Sequence, residues 1–469
     1  METKVALQSI NPANGNIIKN YDEIDREELD ELLRNVDKTQ QQWMRVPFAQ
    51  RAEKMRKAAK ILRDQADEFG QLMADEMGKP VSQGKAEAEK CAWVCDYYAD
   101  NAEEILKDVP VDTDASKSYV HYQPMGVVMA IMPWNYPFWQ VFRFAAPALM
   151  AGNAGVLKHS ENVTGCALAI EKIFHDAGFP GNLFRTLLIN RDKAKDVIEH
   201  PVVKAVTLTG STRAGKIVAS QAGAVLKKTV LELGGSDPYV VLEDANLDEA
   251  INTCVTSRLL NSGQSCIAAK RFIVVEKVYD EFVRKLVESM NSKKMGDPNN
   301  DVDLGPQARE DLRDNLHDQV RRSVENGAKV LTGGEIPDMD GFYYPPTVLV
   351  DVAAGMPAYE EELFGPVATV IKARDEEDAL RIANDTSYGL GSAVFTKDKE
   401  KGEKIAREKL NAGSSFVNTF VKSDPRLPFG GIKNSGYGRE LSPFGIKEFM
   451  NIKTIYVAKA INEKAGKRR

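Results

Sequence analysis

Cys266 sits in NSGQSCIAAK, a stretch dense in Gly and Ser between a helical pattern and the strand-like RFIVVE. Backbone N–H groups on such a loop can favour a thiolate and hold an oxyanion formed when that sulfur attacks a carbonyl. Cys91, Cys95, Cys166 and Cys254 fall on helical patterns and read as small buried hydrophobes. Glu232 lies between Leu231 and Leu233 at the end of the apolar run in KKTVLELGG, where an ionised carboxylate is costly without a partner. Two roles fit it: capping N–H groups at the Gly234-Gly235 turn, or acting as a general base whose pKa burial has raised.

Between Ser118 and Leu157, Arg143 is the only group besides His121 that carries charge near neutral pH. A guanidinium keeps its proton in a protein, so Arg143 either snorkels to solvent, pairs with a distant acid, or faces an anionic carboxylate or phosphate. VKAVTLTGSTRAGKIV reads as strand, Gly-Ser turn and helix, which aims N–H groups and a positive helix end at any phosphate bound there. GSTRAG is not the GxGxxG fingerprint, and strand-Gly-helix turns also occur where nothing binds.

The elements that must hold these residues follow from hydrophobic periodicity. Residues 22 to 109 carry apolar positions at helical spacing, in RAEKMRKAAKILRDQADEFGQLMADEMG and GKAEAEKCAWVCDYYADNAEEIL. From Tyr119 short apolar runs alternate with amphipathic stretches, from GVVMAIM to KKTVLELGG, which predicts a parallel sheet with crossover helices. A second α/β set runs from SDPYVVL through KRFIVVE to AVFT and GSSFVNT. Two sheets in two lobes are expected, and the terminal AKAINEKAGKRR reads as a solvated tail.

At roughly 150 residues per domain, a chain of 469 residues holds about three domain-sized units, or two lobes plus an extension. The 43% apolar and 28% charged residues are those of a globular chain and exclude a disordered or fibrous one. With 62 Lys plus Arg against 68 Asp plus Glu, the net charge of −6 argues against a nucleic-acid partner. Five scattered cysteines fit a reducing cytoplasm better than a disulfide scaffold, and five isolated histidines predict no metal site. The N-terminus lacks the basic and apolar regions of a signal peptide. The run from Ser118 to Phe142 without Asp, Glu, Lys or Arg is broken by Pro124, Pro133 and Pro137 and reads as buried core, not as a membrane span.

With these residues in place, the chain resembles the aldehyde dehydrogenase superfamily over essentially its whole length. MPWNYP is similar to that family's PWNFP motif, LELGG to its general-base segment, GQSC to its nucleophile segment, EELFGPV to its cofactor motif, and PFGGIKNSGYGRE to its C-terminal signature. The resemblance implies an α/β fold of two Rossmann-like lobes plus a β-strand oligomerisation extension. Residues 1–107 and 124–233 would form the NAD-binding domain, 234–446 the catalytic domain, and 108–123 with 447–469 the extension of a homodimer or homotetramer.

Carried over by position, the resemblance implies Cys266 as nucleophile, Glu232 as general base and Asn135 as oxyanion donor. Trp134, Lys158, Glu161, Gly210, Ser211, Leu233, Glu362 and Phe364 would line the dinucleotide site. Glu161 is placed to bond the adenosine ribose and repel a 2′-phosphate, so NAD is expected to be preferred, with NADP as the other coenzyme. The implied chemistry is attack of the sulfur on an aldehyde, loss of hydride to give a thioester, and hydrolysis by water that Glu232 activates.

Within the superfamily the chain looks most like the bacterial succinate-semialdehyde dehydrogenases, which place an Arg eight residues after the Asn, here Arg143, for a distal carboxylate. The second Arg of some of these enzymes is Leu260 here, with Arg258 two positions earlier, and a Lys of the proton relay in many relatives is Phe144. Ser423 and Arg426 in VKSDPRLPFGG are candidate replacements at the substrate mouth, and Ala268 rules out a Cys-Cys switch two residues after the nucleophile. The expected substrate is succinic semialdehyde, with glutaric semialdehyde, lactaldehyde or an amino aldehyde as alternatives. A cofactor-free Cys hydrolase is disfavoured by the lack of nearby histidine, and a non-catalytic role by the presence of both nucleophile and base.

Overall fold

The structure is a computed structural model and describes residues 7–459; most of the C-terminal segment read as a solvated tail lies outside the described residues. Two α/β sheets carry the architecture. The first orders its strands Gly436–Tyr437, Lys228–Glu232, Val203–Thr209, Val127–Met132, Ala154–His159 and Phe184–Thr186. All its neighbours run parallel except Gly436–Tyr437, which joins from the C-terminal signature antiparallel to Lys228–Glu232. The second has seven strands, with Arg271–Val275 and Pro238–Val241 at its centre and one antiparallel pair at the edge formed by Lys329–Thr332. Parallel strands need crossover helices, so both faces are covered and the strands are near-continuous apolar runs. Val127–Met132 and Arg271–Val275 are accordingly buried almost throughout.

The N-terminal helical region forms Arg26–Trp43, Phe48–Asp64, Ala66–Met77 and Val81–Ile105, with a hairpin of Leu7–Ile10 and Ile17–Tyr21 before it. The long amphipathic stretch RAEKMRKAAKILRDQADEFGQLMADEMG divides in two at Gln65, whose ψ of 20° leaves the helical range. Lys117–Pro124, Val109–Pro110 and Met450–Val457 make a separate three-stranded antiparallel sheet. It exposes Ile452, Tyr456 and Val457. The charge-free run from Ser118 is spread over two strands and the start of helix Trp139–Met150. Among the described residues no helix is long and apolar enough to cross a membrane.

Helix Trp139–Met150 is buried along its whole length and carries Arg143 into the interior. Its first N–H groups would be orphaned there, and a distant side chain satisfies them. Glu87 Oε1, on helix Val81–Ile105, accepts from the N–H groups of Phe138 and Trp139, each at 2.9 Å. Glu87 Oε2 pairs with Lys79, and both side chains are almost wholly enclosed. Glu87→Ala is therefore expected to strand a buried ammonium and two helix donors at a cost of about 3–5 kcal/mol. A lowered urea midpoint is the expected result, and an unmoved midpoint contradicts it.

Candidate active site

The nucleophile loop is held by its backbone. After helix Leu247–Leu259 the chain passes through Asn261, Ser262 and Gly263, all with positive φ (57°, 54° and 77°). Left-handed φ at two non-glycine residues in succession is costly unless the surroundings impose it. Here they do: Asn261 Nδ2 donates to the Asn135 carbonyl at 2.8 Å and to the Gln264 carbonyl at 3.0 Å. A Cβ at Gly263 would lie 2.3 Å from the Gly365 carbonyl carbon, so the loop also needs glycine to meet the LFGPV segment. Arg258 Nη2 donates to the Gly263 carbonyl at 2.6 Å; fully buried there, Arg258 works as a brace of the loop.

Lys270 closes the arrangement. Its ammonium donates to the carbonyls of Ser265 (2.9 Å) and Cys266 (2.6 Å), and lies 3.3 Å from Glu362 Oε1. Sequence reasoning missed this residue, although a lysine in the apolar run IAAKRFIVV is the same kind of signal that singled out Arg143. Glu362 Oε1 in turn accepts from the Gly235 N–H at 3.1 Å. The turn after Glu232 is thus capped by Glu362, and the capping role considered for Glu232 is filled by another acid.

Asn135, in the turn between Val127–Met132 and Trp139–Met150, is fixed from both ends. Its Oδ1 accepts from Gln140 Nε2 at 3.0 Å and its Nδ2 donates to the Gln264 carbonyl at 3.0 Å. An amide nitrogen carries two hydrogens, so one remains free. The Cys266 N–H makes no hydrogen bond among the described residues. Two donors are therefore available beside the sulfur, the requirement for holding an oxyanion.

Two cavities meet at Cys266. One, of about 230 Å³, is lined by Trp134, Asn135, Gly210, Ser211, Leu233, Glu362 and Phe364 as well as Cys266. The other, of about 360 Å³, is lined by Trp139, Arg143, Ser423 and Phe429 as well as Cys266, and Gln140 borders both. The first suits a nicotinamide dinucleotide. Ser211 caps helix Thr212–Ala224, whose N-terminus suits phosphate. Phe364 stands edge-on to Trp134 at 5.7 Å, and a Cβ at Gly234 would come within 2.2 Å of Glu362 Oε2, closing the passage to that carboxylate. Lys158 lies near the end of strand Ala154–His159 and Glu161 just after it, and neither lines this cavity.

Burial pushes the Cys266 thiol up to about 11, with Lys270 and Arg143 pulling the other way. Glu232 is buried with neither carboxylate oxygen hydrogen-bonded. Burial first, then the neighbouring Glu440, hold it well above the usual carboxylate range, against the pull of Arg143 and Arg439. Arg143 Nε pairs with Glu440 and its Nη2 donates to Thr209 Oγ1 at 3.2 Å. Of the three fates open to Arg143 in the sequence, pairing with a distant acid is realised, while its guanidinium still borders the larger cavity. Glu440 lies in the C-terminal signature, but nothing local marks it as the partner of a residue almost 300 positions earlier. Phe144, in place of a relay lysine, packs edge-on against Phe449 at 5.8 Å.

Ser423 lines the larger cavity and is buried. Arg426 does not line it: the side chain is 67% exposed, chelates Asp424, and lies over the ring of Trp93, a residue of the cavity wall. Its guanidinium is thus held by Asp424 beside a residue of the cavity wall and does not enter the cavity.

The chain belongs to the aldehyde dehydrogenase family, whose model matches residues 1–455. It is 50% identical to a probable NADP(+) succinate-semialdehyde dehydrogenase of Synechocystis sp., over 97% of this chain and 100% of that protein. It is 46% identical to NADP(+) succinate-semialdehyde dehydrogenase 1 of Mycobacterium tuberculosis, over 96% of this chain and 100% of that protein. The crystal structure of the Streptococcus pyogenes succinic semialdehyde dehydrogenase with NADP+ superposes with a TM-score of 0.94 at 36% identity, covering 96% of this chain and 100% of that one.

These relatives overturn the NAD preference expected from Glu161, since both curated proteins are named for NADP(+) and the crystal structure holds NADP+. The structure supplies a physical reason. Glu161 is 43% exposed with Lys158 Nζ 3.4 Å from its Oε1, so it does not stand as an isolated negative charge against a 2′-phosphate.

The geometry makes one prediction about the resting thiol. Alkylation of Cys266 in the cofactor-free protein should be slow at neutral pH and rise about tenfold per pH unit toward 11. Cys91, Cys95, Cys166 and Cys254, all buried, should stay unlabelled in peptide mass maps. Full labelling of Cys266 already at pH 7 contradicts this.

Proposed function

We propose that the chain oxidises succinic semialdehyde to succinate, with NADP+ as the coenzyme by analogy with its relatives. What supports this most is the position of Cys266 on the wall common to both cavities, so that a carbon bonded to its sulfur lies between the two. Cys266 is the nucleophile: its S–H proton leaves to solvent, the thiolate bonds to the aldehyde carbon as the C=O π bond opens, and the free Asn135 Nδ2 hydrogen and the Cys266 N–H receive the oxyanion so formed. Trp134, Gly210, Ser211, Leu233, Glu362 and Phe364 would hold the dinucleotide, with Lys158 and Glu161 toward its adenosine end, and it would supply the acceptor for the hydride lost as the sulfur adduct becomes a thioester.

Glu232 then takes a proton from water as the oxygen bonds to the thioester carbon, and the C–S bond breaks to release succinate and return the thiol. Its raised pKa makes it a stronger base than an exposed carboxylate, and Arg143 and Arg439 favour its ionised form. Lys270 positions the sulfur through the Cys266 carbonyl and holds Glu362 in line with it. Arg143 and Ser423 face the distal carboxylate. Arg143 Nη1 makes no hydrogen bond among the described residues, so one edge of the fork stays open beside its pairing with Glu440. Because Arg143 also offsets the Glu232–Glu440 pair, its removal lowers turnover of charged and uncharged aldehydes together.

Two features of the assembly belong to the same reading. The exposed face of the three-stranded sheet fits pairing with a second copy, as a dimer or tetramer, and residues 1–107 with 124–233 make the dinucleotide lobe and 234–446 the catalytic lobe. Five free cysteines suit a reducing cytoplasm.

The test is a panel of aldehydes ranked by kcat/KM with NADP+. Succinic semialdehyde should lead butanal, its analogue without the carboxylate, by about 10- to 100-fold, the range of one or two charge-assisted hydrogen bonds. Cys266→Ala should show no turnover. Equal rates on both aldehydes would remove the carboxylate reading, and turnover by Cys266→Ala would remove the mechanism.

A further inference from the structure

The wall of the larger cavity carries a charge that the mechanism leaves unused. Lys90, on helix Val81–Ile105, points its ammonium to Ser423 Oγ at 2.8 Å and over the Trp139 ring at 4.3 Å. Both neighbours line the same cavity as Arg143 and Cys266. An ammonium has three donors, and among the described residues Lys90 spends one, on a neutral hydroxyl, and forms no ion pair.

The other charged groups around it are already matched. Glu87 is held by Lys79 and two helix N–H groups. Asp424 is chelated by Arg426, and Arg143 pairs with Glu440. Cys91 is a buried neutral thiol, and Lys422, also on the wall, is exposed and screened by water. A cation enclosed beside a second cation, with no acid of its own, is costly unless an anion arrives.

We propose that Lys90 is a substrate-binding residue, the cation that, with Ser423 and the open edge of Arg143, clasps the distal carboxylate of the aldehyde. This rests on the function proposed above and supplies the second cationic contact that Leu260, 39% exposed on the same wall, cannot make. Arg258 cannot make it either, being committed to the nucleophile loop.

The arrangement carries a pH signature. Burial, then Arg143, pull the Lys90 ammonium down to about 8, with Glu87 and Asp424 opposing. A bound carboxylate favours the protonated form, so affinity for it is full below that pH and falls above it. Arg at this position keeps its charge throughout.

The experiment compares the full-length protein with Lys90→Met and Lys90→Arg, in two readouts. The first is the ratio of kcat/KM for succinic semialdehyde to that for butanal. The second is inhibition of butanal oxidation by succinate across pH 6 to about 10. Lys90→Met should lower the ratio about tenfold, the lower end of the worth of a charge-assisted hydrogen bond, and abolish the alkaline loss of succinate inhibition. Lys90→Arg should restore the ratio and carry inhibition through the alkaline range.

A Lys90→Met protein that keeps the wild-type ratio, loses on both aldehydes equally, or keeps the wild-type pH profile for succinate overturns the proposal. Wild-type protein that oxidises butanal but not succinic semialdehyde removes the function proposed above. Succinate inhibition, lost or kept in Lys90→Met, still decides the role of Lys90 in that case.

Discussion

A sulfur that must touch two compartments at once constrains the rest of this molecule. The Cys266 loop is threaded through consecutive left-handed residues and a glycine that admits no Cβ, and it is tied down by Asn261, Arg258 and Lys270. The two sheets meet across this loop. Asn135 comes from the first lobe and reaches the Gln264 carbonyl two residues before Cys266, so the Asn135 amide and the sulfur belong to different sheets and are positioned only when the lobes are docked. The strain in the loop is therefore maintained by contacts that form together.

The second organising feature is a chain of enclosed charges. Burial and the neighbouring Glu440 raise the pKa of Glu232, burial raises that of Glu440, and Arg143 lowers both. Lys270 and Arg143 pull the Cys266 thiol down against burial. Each group is tuned by the next, so the acid and cation along this wall act as one unit. Such sites are costly to bury, and their place beside an unpartnered carboxylate and a thiol ties that cost to function.

Much of this was legible in the sequence because the chemistry sits in short contiguous motifs. GQSC, LELGG, MPWNYP and GSTRAG each carry their own turn or strand end, and the parallel strands around them are apolar runs that periodicity finds directly. What was not legible depends on pairing at long range. Glu440 meets Arg143, and Ser423 meets Lys90, across some 300 residues; Lys90 reads locally as one more charge on an amphipathic helix. Lys270 was within reach, since a lysine in an apolar run calls for a partner. Coenzyme preference is not legible from the charge of Glu161 alone, because Lys158, three residues before it, is its counter-ion in the folded chain.

The most direct test of the central claim is to quench Glu232→Gln protein during reaction with succinic semialdehyde and NADP+, and map the adducts by peptide mass spectrometry. The account predicts a succinyl group on the peptide carrying Cys266, formed in equal amount with reduced dinucleotide, because oxidation proceeds and hydrolysis stalls. Reduced dinucleotide formed with the Cys266 peptide unmodified, or an acyl group on another residue, would contradict it.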